Sequence, residues 1–86
     1  MPKVLVPTHL RSYTHAAEVT VPGRTLGEVV AALDRAFPGM RFRIIDEQDQ
    51  IRTHIKFFVG PEVAPDLATP VRDTDEIMIV AALSGG

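Results

Sequence analysis

Seven consecutive apolar residues, Ile77 to Leu83, are followed by Ser84 and then by Gly85-Gly86. A run of that length is far too short to cross a membrane, which takes ~20 residues as a helix. It is the right length for a buried strand, and β-branched Ile and Val favour that reading. The run therefore fixes a strand, Glu76 to Leu83, that must be surrounded by the rest of the chain. It leads straight into a tail whose last two residues have no side chain. Glycine makes up ~7% of average usage, so two together at a given place arise by chance about once in 200. The upstream residues decide whether the pair has a purpose.

With 86 residues there is material for one domain, 1–86, with a flexible tail over 83–86. A chain this short buries only a little over ~60% of its unfolded surface, so it builds a single core. It contains no cysteine, which excludes disulfides and thiolate metal sites. The apolar share is 45%, enough for stability to come from packing. Eleven acidic and nine basic side chains leave a formal charge of −2, no warrant for binding nucleic acid or anionic lipid. Met1 to Pro7 lacks the long apolar stretch and cleavage site of a signal peptide, so a soluble, cytoplasmic protein is expected.

Val4 to Val6 is a short apolar run stopped by Pro7, consistent with a strand covered on both faces or one at the centre of a sheet. Thr8 to Ala16 is polar and reads as irregular. Glu18 to Val21 alternates, with Val19 and Val21 inward, and Pro22-Gly23 ends it. Thr25 and Glu28 have the spacing of a capping box. Behind them Leu26, Val29, Val30, Leu33 and Phe37 form one helical stripe, halted by Pro38-Gly39. Such a helix is marginal alone and must dock. Met40 to Ile45 suggests a short helical turn with Arg41 and Arg43 exposed. Asp46 to Gln50 is a polar loop. His54 to Val59 alternates, with Ile55, Phe57 and Val59 on one side and Phe58 on the other. Glu62 to Asp75 reads as turns with one short element around Val63 and Leu67.

The order is β-β-α-β-β, an α+β roll with a mixed sheet and one main helix across it. The first and last strands, the most continuously apolar, belong at its centre. One helix covers only one face. Parity places Ile77, Ile79 and Ala81 on the covered side and Met78 and Val80 on the other, together with Phe58. An uncovered apolar patch of this kind marks a partner surface. The alternative is that the 61–75 segment covers it.

Several stretches now carry a likeness: Val6-Pro7-Thr8-His9-Leu10-Arg11, Gly23-Arg24-Thr25-Leu26, Phe37-Pro38-Gly39-Met40, Ala68-Thr69-Pro70-Val71 with Asp73, and the closing Leu83-Ser84-Gly85-Gly86. Together they resemble the ubiquitin-like sulfur-carrier proteins of the ThiS/MoaD kind, and most of all the longer members that serve cysteine synthesis. The resemblance implies a β-grasp fold and a carrier that is not itself an enzyme. The Gly86 carboxylate would be adenylated by a separate ubiquitin-activating-like (E1-like) enzyme that uses ATP, with no cofactor bound by the carrier. A sulfur-donor enzyme would then convert it to a thiocarboxylate, and a biosynthetic enzyme would accept the sulfur for cysteine, molybdopterin, thiamine or thiolated tRNA. Leu83, Ser84 and Gly85 would be the tail that enters those enzymes, and Phe58, Met78 and Val80 the patch that docks. The alternatives within the resemblance are the small subunit of molybdopterin synthase and a ubiquitin-like modifier joined to lysines. Two positions depart from the family pattern. Val59-Gly60 stands where members often have Asn, and Asp73-Thr74-Asp75 where Asp-Gly-Asp is frequent.

The chemistry of the tail is self-consistent. An α-carboxyl, with a reference pKa of ~3.3–3.7, is ionised at neutral pH and a poor electrophile, so it needs activation. Glycines offer no Cβ to obstruct a narrow channel. Leu83 to Gly86, extended, spans ~13–14 Å. No rival constellation stands out. His9, His15 and His54 match no ligand spacing, Ser12 and Ser84 lack a nucleophile motif, and Asp46, Glu47 and Asp49 lack the rest of a calcium loop. Arg35, Arg41, Arg43, Arg52 and Lys56 could face an acidic partner or be ordinary surface charge.

Overall fold

The computed structural model describes residues 1–81. Five strands, β1 (Lys3–Leu5), β2 (Glu18–Thr20), β3 (Ile55–Val59), β4 (Glu62–Val63) and β5 (Glu76–Ala81), form one sheet in the order β2-β1-β5-β3-β4. β5 is at the centre, parallel to β1 and antiparallel to β3, while β2 and β4 pair antiparallel at the edges. The expected mixed α+β roll is thus present, with one more strand than the sequence pattern indicates. β4 is only two residues long and has no alternation of its own to read.

The register puts Val19, Val4 and Ile77 in line, and Ile77, Ile79 and Ala81 opposite Val59, Phe57 and Ile55. These residues share one face, and the main helix, α2 (Leu26–Ala36), is packed upon it. Leu26, Val29, Val30 and Leu33 are fully buried, as the stripe requires, and Ala32 joins them; Phe37 is half-buried at the end. A further short helix, α3 (Met40–Ile44), adds Met40 and Ile44 to the core. Gly39 precedes it at φ +95°, a conformation that suits glycine.

The start of α2 is saturated with partners. Thr25 Oγ1 accepts from the Glu28 N–H at 3.2 Å, the first half of a capping box, while Glu28 Oε1 accepts at 2.9 Å from the Arg24 N–H, one residue before the N-cap amide that the full motif uses. The next amides are taken by the 61–75 segment: Leu26 N–H donates to the Thr69 carbonyl and Gly27 N–H to that of Leu67, both at 2.9 Å. A helix start leaves such donors without partners inside the helix, so this loop has a specific docking place. It is drawn to the helix end, and the opposite sheet face stays bare.

Two expectations are corrected. Residues 8–16 are not irregular: a 3₁₀ turn (Thr8–Leu10) runs into one turn of helix, α1 (Arg11–Thr14). Leu10 and Thr14, four apart, are its buried anchors, and a single Leu makes no stripe for a sequence reading to find. Arg41 is half-buried rather than exposed, and its guanidinium is held at 2.6 Å by Asp49. Of the two readings of β1, the structure shows the second: the strand is interior to the sheet between β2 and β5, with Val4 and Val6 buried and Leu5 half-buried on the bare side. The two departures from the family pattern fit their turns. Gly60 has φ +61°, a left-handed conformation that Asn and Gly share. Thr74 lies in a turn closed by Asp75, which accepts from the Arg72 N–H at 2.8 Å.

Candidate functional site

The bare face of the sheet is built by parity. In each strand the side chains alternate, so Leu5, Met78, Phe58 and Val63 point to the face opposite the one on which their buried chain neighbours enter the core. The register sets them in one row across four strands: Leu5 opposite Met78, Met78 opposite Phe58, Phe58 opposite Val63. Directly opposed residues approach to ~4.5–5.5 Å between Cβ atoms, so the row is a continuous apolar band. Met78 is 42% exposed and Val63 53%, while Leu5 and Phe58 are half-buried between them. Val80, also half-buried, extends the band along β5 and is paired with Lys56. At the other border Lys3 and Glu18 approach to 3.9 Å.

The structure therefore brings Phe58, Met78 and Val80 together on one open surface, as parity predicts. Leu5 and Val63 join them through their register with Met78 and Phe58. Alternation within Val4-Leu5-Val6 is the signal for Leu5, whereas the short element expected around Val63 has no alternation to show which face its side chain joins. The other predicted site residues, Leu83, Ser84, Gly85 and Gly86, lie outside the described residues. What is described is the strand that leads toward the tail, as far as Ala81, which is paired with Ile55.

The arrangement suits contact rather than chemistry. The band consists of side chains with no titratable group, and a mobile thioether such as Met78 adapts to irregular apolar surfaces. Among the described residues no three His, Asp or Glu side chains gather where they could hold a metal ion. Also among these residues, no helix is long and apolar enough to cross a membrane.

Comparison with known proteins agrees with this geometry. Residues 4–86 match the ThiS family. The chain belongs to that family. Curated relatives of this ThiS-family chain include the "Sulfur carrier protein CysO" of Mycobacterium bovis and that of Mycobacterium tuberculosis. Each is 32% identical over 89 residues, with 96% of both chains covered. The crystal structure of Mycobacterium tuberculosis CysO superposes with a TM-score of 0.91 at 28% identity, covering 96% of this chain and 100% of the other. The Amycolatopsis orientalis BexX/CysO complex gives a TM-score of 0.92 at 27% identity, covering 100% of both. The small archaeal modifier protein SAMP1 of Methanosarcina acetivorans shares the fold, with a TM-score of 0.82 at 24% identity over 98% of this chain and 94% of that one. The fold of the ThiS-family chain is the β-grasp.

Proposed function

We propose that this ThiS-family chain is a sulfur carrier of the CysO type, acting in the cytoplasm as a substrate of other enzymes. The observation that carries the reading is the extent of the likeness: the family match runs through the whole β-grasp and on to Gly86. The relatives called sulfur carrier proteins are 32% identical over 96% of this chain. A bare apolar face and a tail rooted on the central strand are consistent with a protein handled by others.

In this reading a Gly86 carboxylate oxygen attacks the α-phosphorus of ATP in an E1-like adenylating enzyme, and pyrophosphate leaves. A hydrosulfide equivalent, sulfur already at the sulfide level, delivered by a donor enzyme then attacks the acyl carbon, the C–O bond to AMP breaks with its electron pair leaving on AMP, and loss of the S–H proton leaves a thiocarboxylate. The acyl adenylate supplies the leaving group that a carboxylate lacks. A biosynthetic enzyme takes the sulfur onward. A relative, the Amycolatopsis orientalis CysO, is known in complex with BexX, which supports handling by partner proteins. The apolar band of Leu5, Met78, Phe58 and Val80 is the surface assigned to that handling.

The test is the intact mass of the purified protein after incubation with ATP, an E1-like enzyme and a sulfur donor. One oxygen at the C-terminus is expected to be replaced by sulfur. An unchanged mass with every activator tried overturns the carrier reading, and isopeptide-linked products on lysines would favour a modifier instead.

A further inference from the structure

Phe42 is left in water at 63% exposure, well away from the apolar band. α3 buries Met40 and Ile44, four residues apart, so Phe42 between them points to the opposite side of that helix. Its surroundings hold it in place. The Arg52 guanidinium carbon stands 4.9 Å from the ring centroid, and Arg52 Nε donates to the Phe42 carbonyl at 2.9 Å. The Arg52 backbone is fixed on both sides: its N–H donates to the Ile44 carbonyl at 3.1 Å, and its carbonyl accepts from the Ile55 N–H at 2.9 Å. Ring and guanidinium are pre-ordered, which reduces the entropy lost when a partner engages them.

Their place in the fold is specific. Ile55 pairs with Ala81, so Arg52 lies one turn away from the strand pair that leads toward the tail. Five residues beyond Ala81 reach at most ~18 Å. A protein that takes hold of Gly86 must therefore cover the ground around the tail root. The charge at this spot is also defined. Asp34 accepts the Arg41 N–H, Asp46 accepts the amides of Gln48 and Gln50, and Asp49 holds the Arg41 guanidinium. Asp34, Arg41, Asp46 and Glu47 line a hollow together with Phe42. Among the described residues neither Arg52 nor Arg43 has a carboxylate within ion-pair distance.

We propose that Phe42 and Arg52, with Arg43 beside them, form a second docking element, used by the enzyme that adenylates the tail. The surface it fits is an apolar notch edged by carboxylates. This rests on the carrier reading and adds to it a contact on the helix side of the tail root. Arginine and aromatic side chains held in this manner are the types that dominate binding energy at interfaces.

The test is steady-state adenylation of the full chain by an E1-like enzyme that loads the wild type, with Phe42→Ala, Arg52→Ala, Arg43→Ala and Arg52→Lys compared. Phe42→Ala and Arg52→Ala are each expected to raise the KM for the carrier about tenfold with kcat unchanged. Arg52→Lys should recover only part of the loss, because it keeps the charge without the flat stacking group. Added salt should raise the wild-type KM more steeply than that of Arg52→Ala. Thermal melting separates binding from folding, and Phe42→Leu replaces Phe42→Ala if the latter melts early. A KM within twofold of wild type for both Phe42 and Arg52 variants overturns the proposal while leaving the carrier reading intact. A wild type that no activator loads overturns the carrier reading and this proposal together.

Discussion

Phe58 stands directly opposite Met78 on the bare face of the β3–β5 ladder, whereas the adjacent pair, Phe57 and Ile79, meets on the face beneath α2. Two neighbouring aromatic residues thus have opposite fates, decided only by the alternation of the strand. Phe57 is 1% exposed and part of the core, while Phe58 is half in water.

A pair of substitutions reads out this difference. Phe57→Ala opens a cavity under α2 and should lower the unfolding free energy by ~3–5 kcal/mol. Phe58→Ala removes a side chain that water already reaches, so a loss nearer ~1 kcal/mol is expected, together with a clear rise in the KM for loading. Urea unfolding curves and loading kinetics on the same preparations give both numbers. Equal destabilisation by the two substitutions would make Phe58 a core residue and remove the basis for the docking band.

Gly23 offers a second test, of the packing between the end of the β2 arm and α2. A Cβ built there would lie 2.7 Å from the Val29 backbone nitrogen and 2.7 Å from its Cγ2. Backbone cannot step aside cheaply, so Gly23→Ala should cost ~1–3 kcal/mol through overpacking. Gly60→Ala makes a useful contrast, because no atom comes within 4 Å of the new methyl and only its φ of +61° is unfavourable. A Gly23→Ala protein as stable as wild type would show that the turn and helix separate freely.

The helix start yields a third prediction. Thr25→Ala removes the acceptor for the Glu28 N–H and should cost ~1 kcal/mol, measured as a shift in the urea midpoint at constant slope. Since Glu28 still caps the Arg24 N–H at 2.9 Å, the double substitution with Glu28→Ala should lose less than twice that amount if the two bonds are coupled. Strict additivity would mean that each cap acts alone.

The residues that were legible in the sequence are those whose pattern has a period. Leu26, Val29, Val30 and Leu33 declared the helix at 3.6, and Ile77, Ile79, Ile55 and Phe57 declared the core face at 2, so the bare face followed by subtraction. Features fixed by a single contact were not legible. Leu10 and Thr14 anchor a helical turn too short to have a period, and β4 exists because Phe58 and Val63 pair at the end of a turn. The Arg41–Asp49 ion pair joins residues eight apart through a loop whose shape no pattern encodes. In the same way, Arg52 reaches Phe42 only because α3 and the start of β3 are folded together.

The tail gives the last prediction. Gly85 brings no side chain to the core, and the described β3–β5 ladder runs to the Ile55–Ala81 pair, four residues before it in the chain. Gly85→Val should accordingly leave the urea midpoint unchanged. Its effect belongs to the encounter with the adenylating enzyme, where a β-branched side chain next to Gly86 widens a tail that glycine keeps to backbone width. A displacement of about 1 Å at the reacting carboxylate is worth about a hundredfold in rate. The loading rate should fall by about that factor or more, with the KM much less affected because the docking band is untouched. Mass spectrometry of the single-turnover reaction measures it directly. Wild-type loading of Gly85→Val would mean that the activating site does not enclose the tail, and the case for a glycine pair selected by a narrow channel would fall.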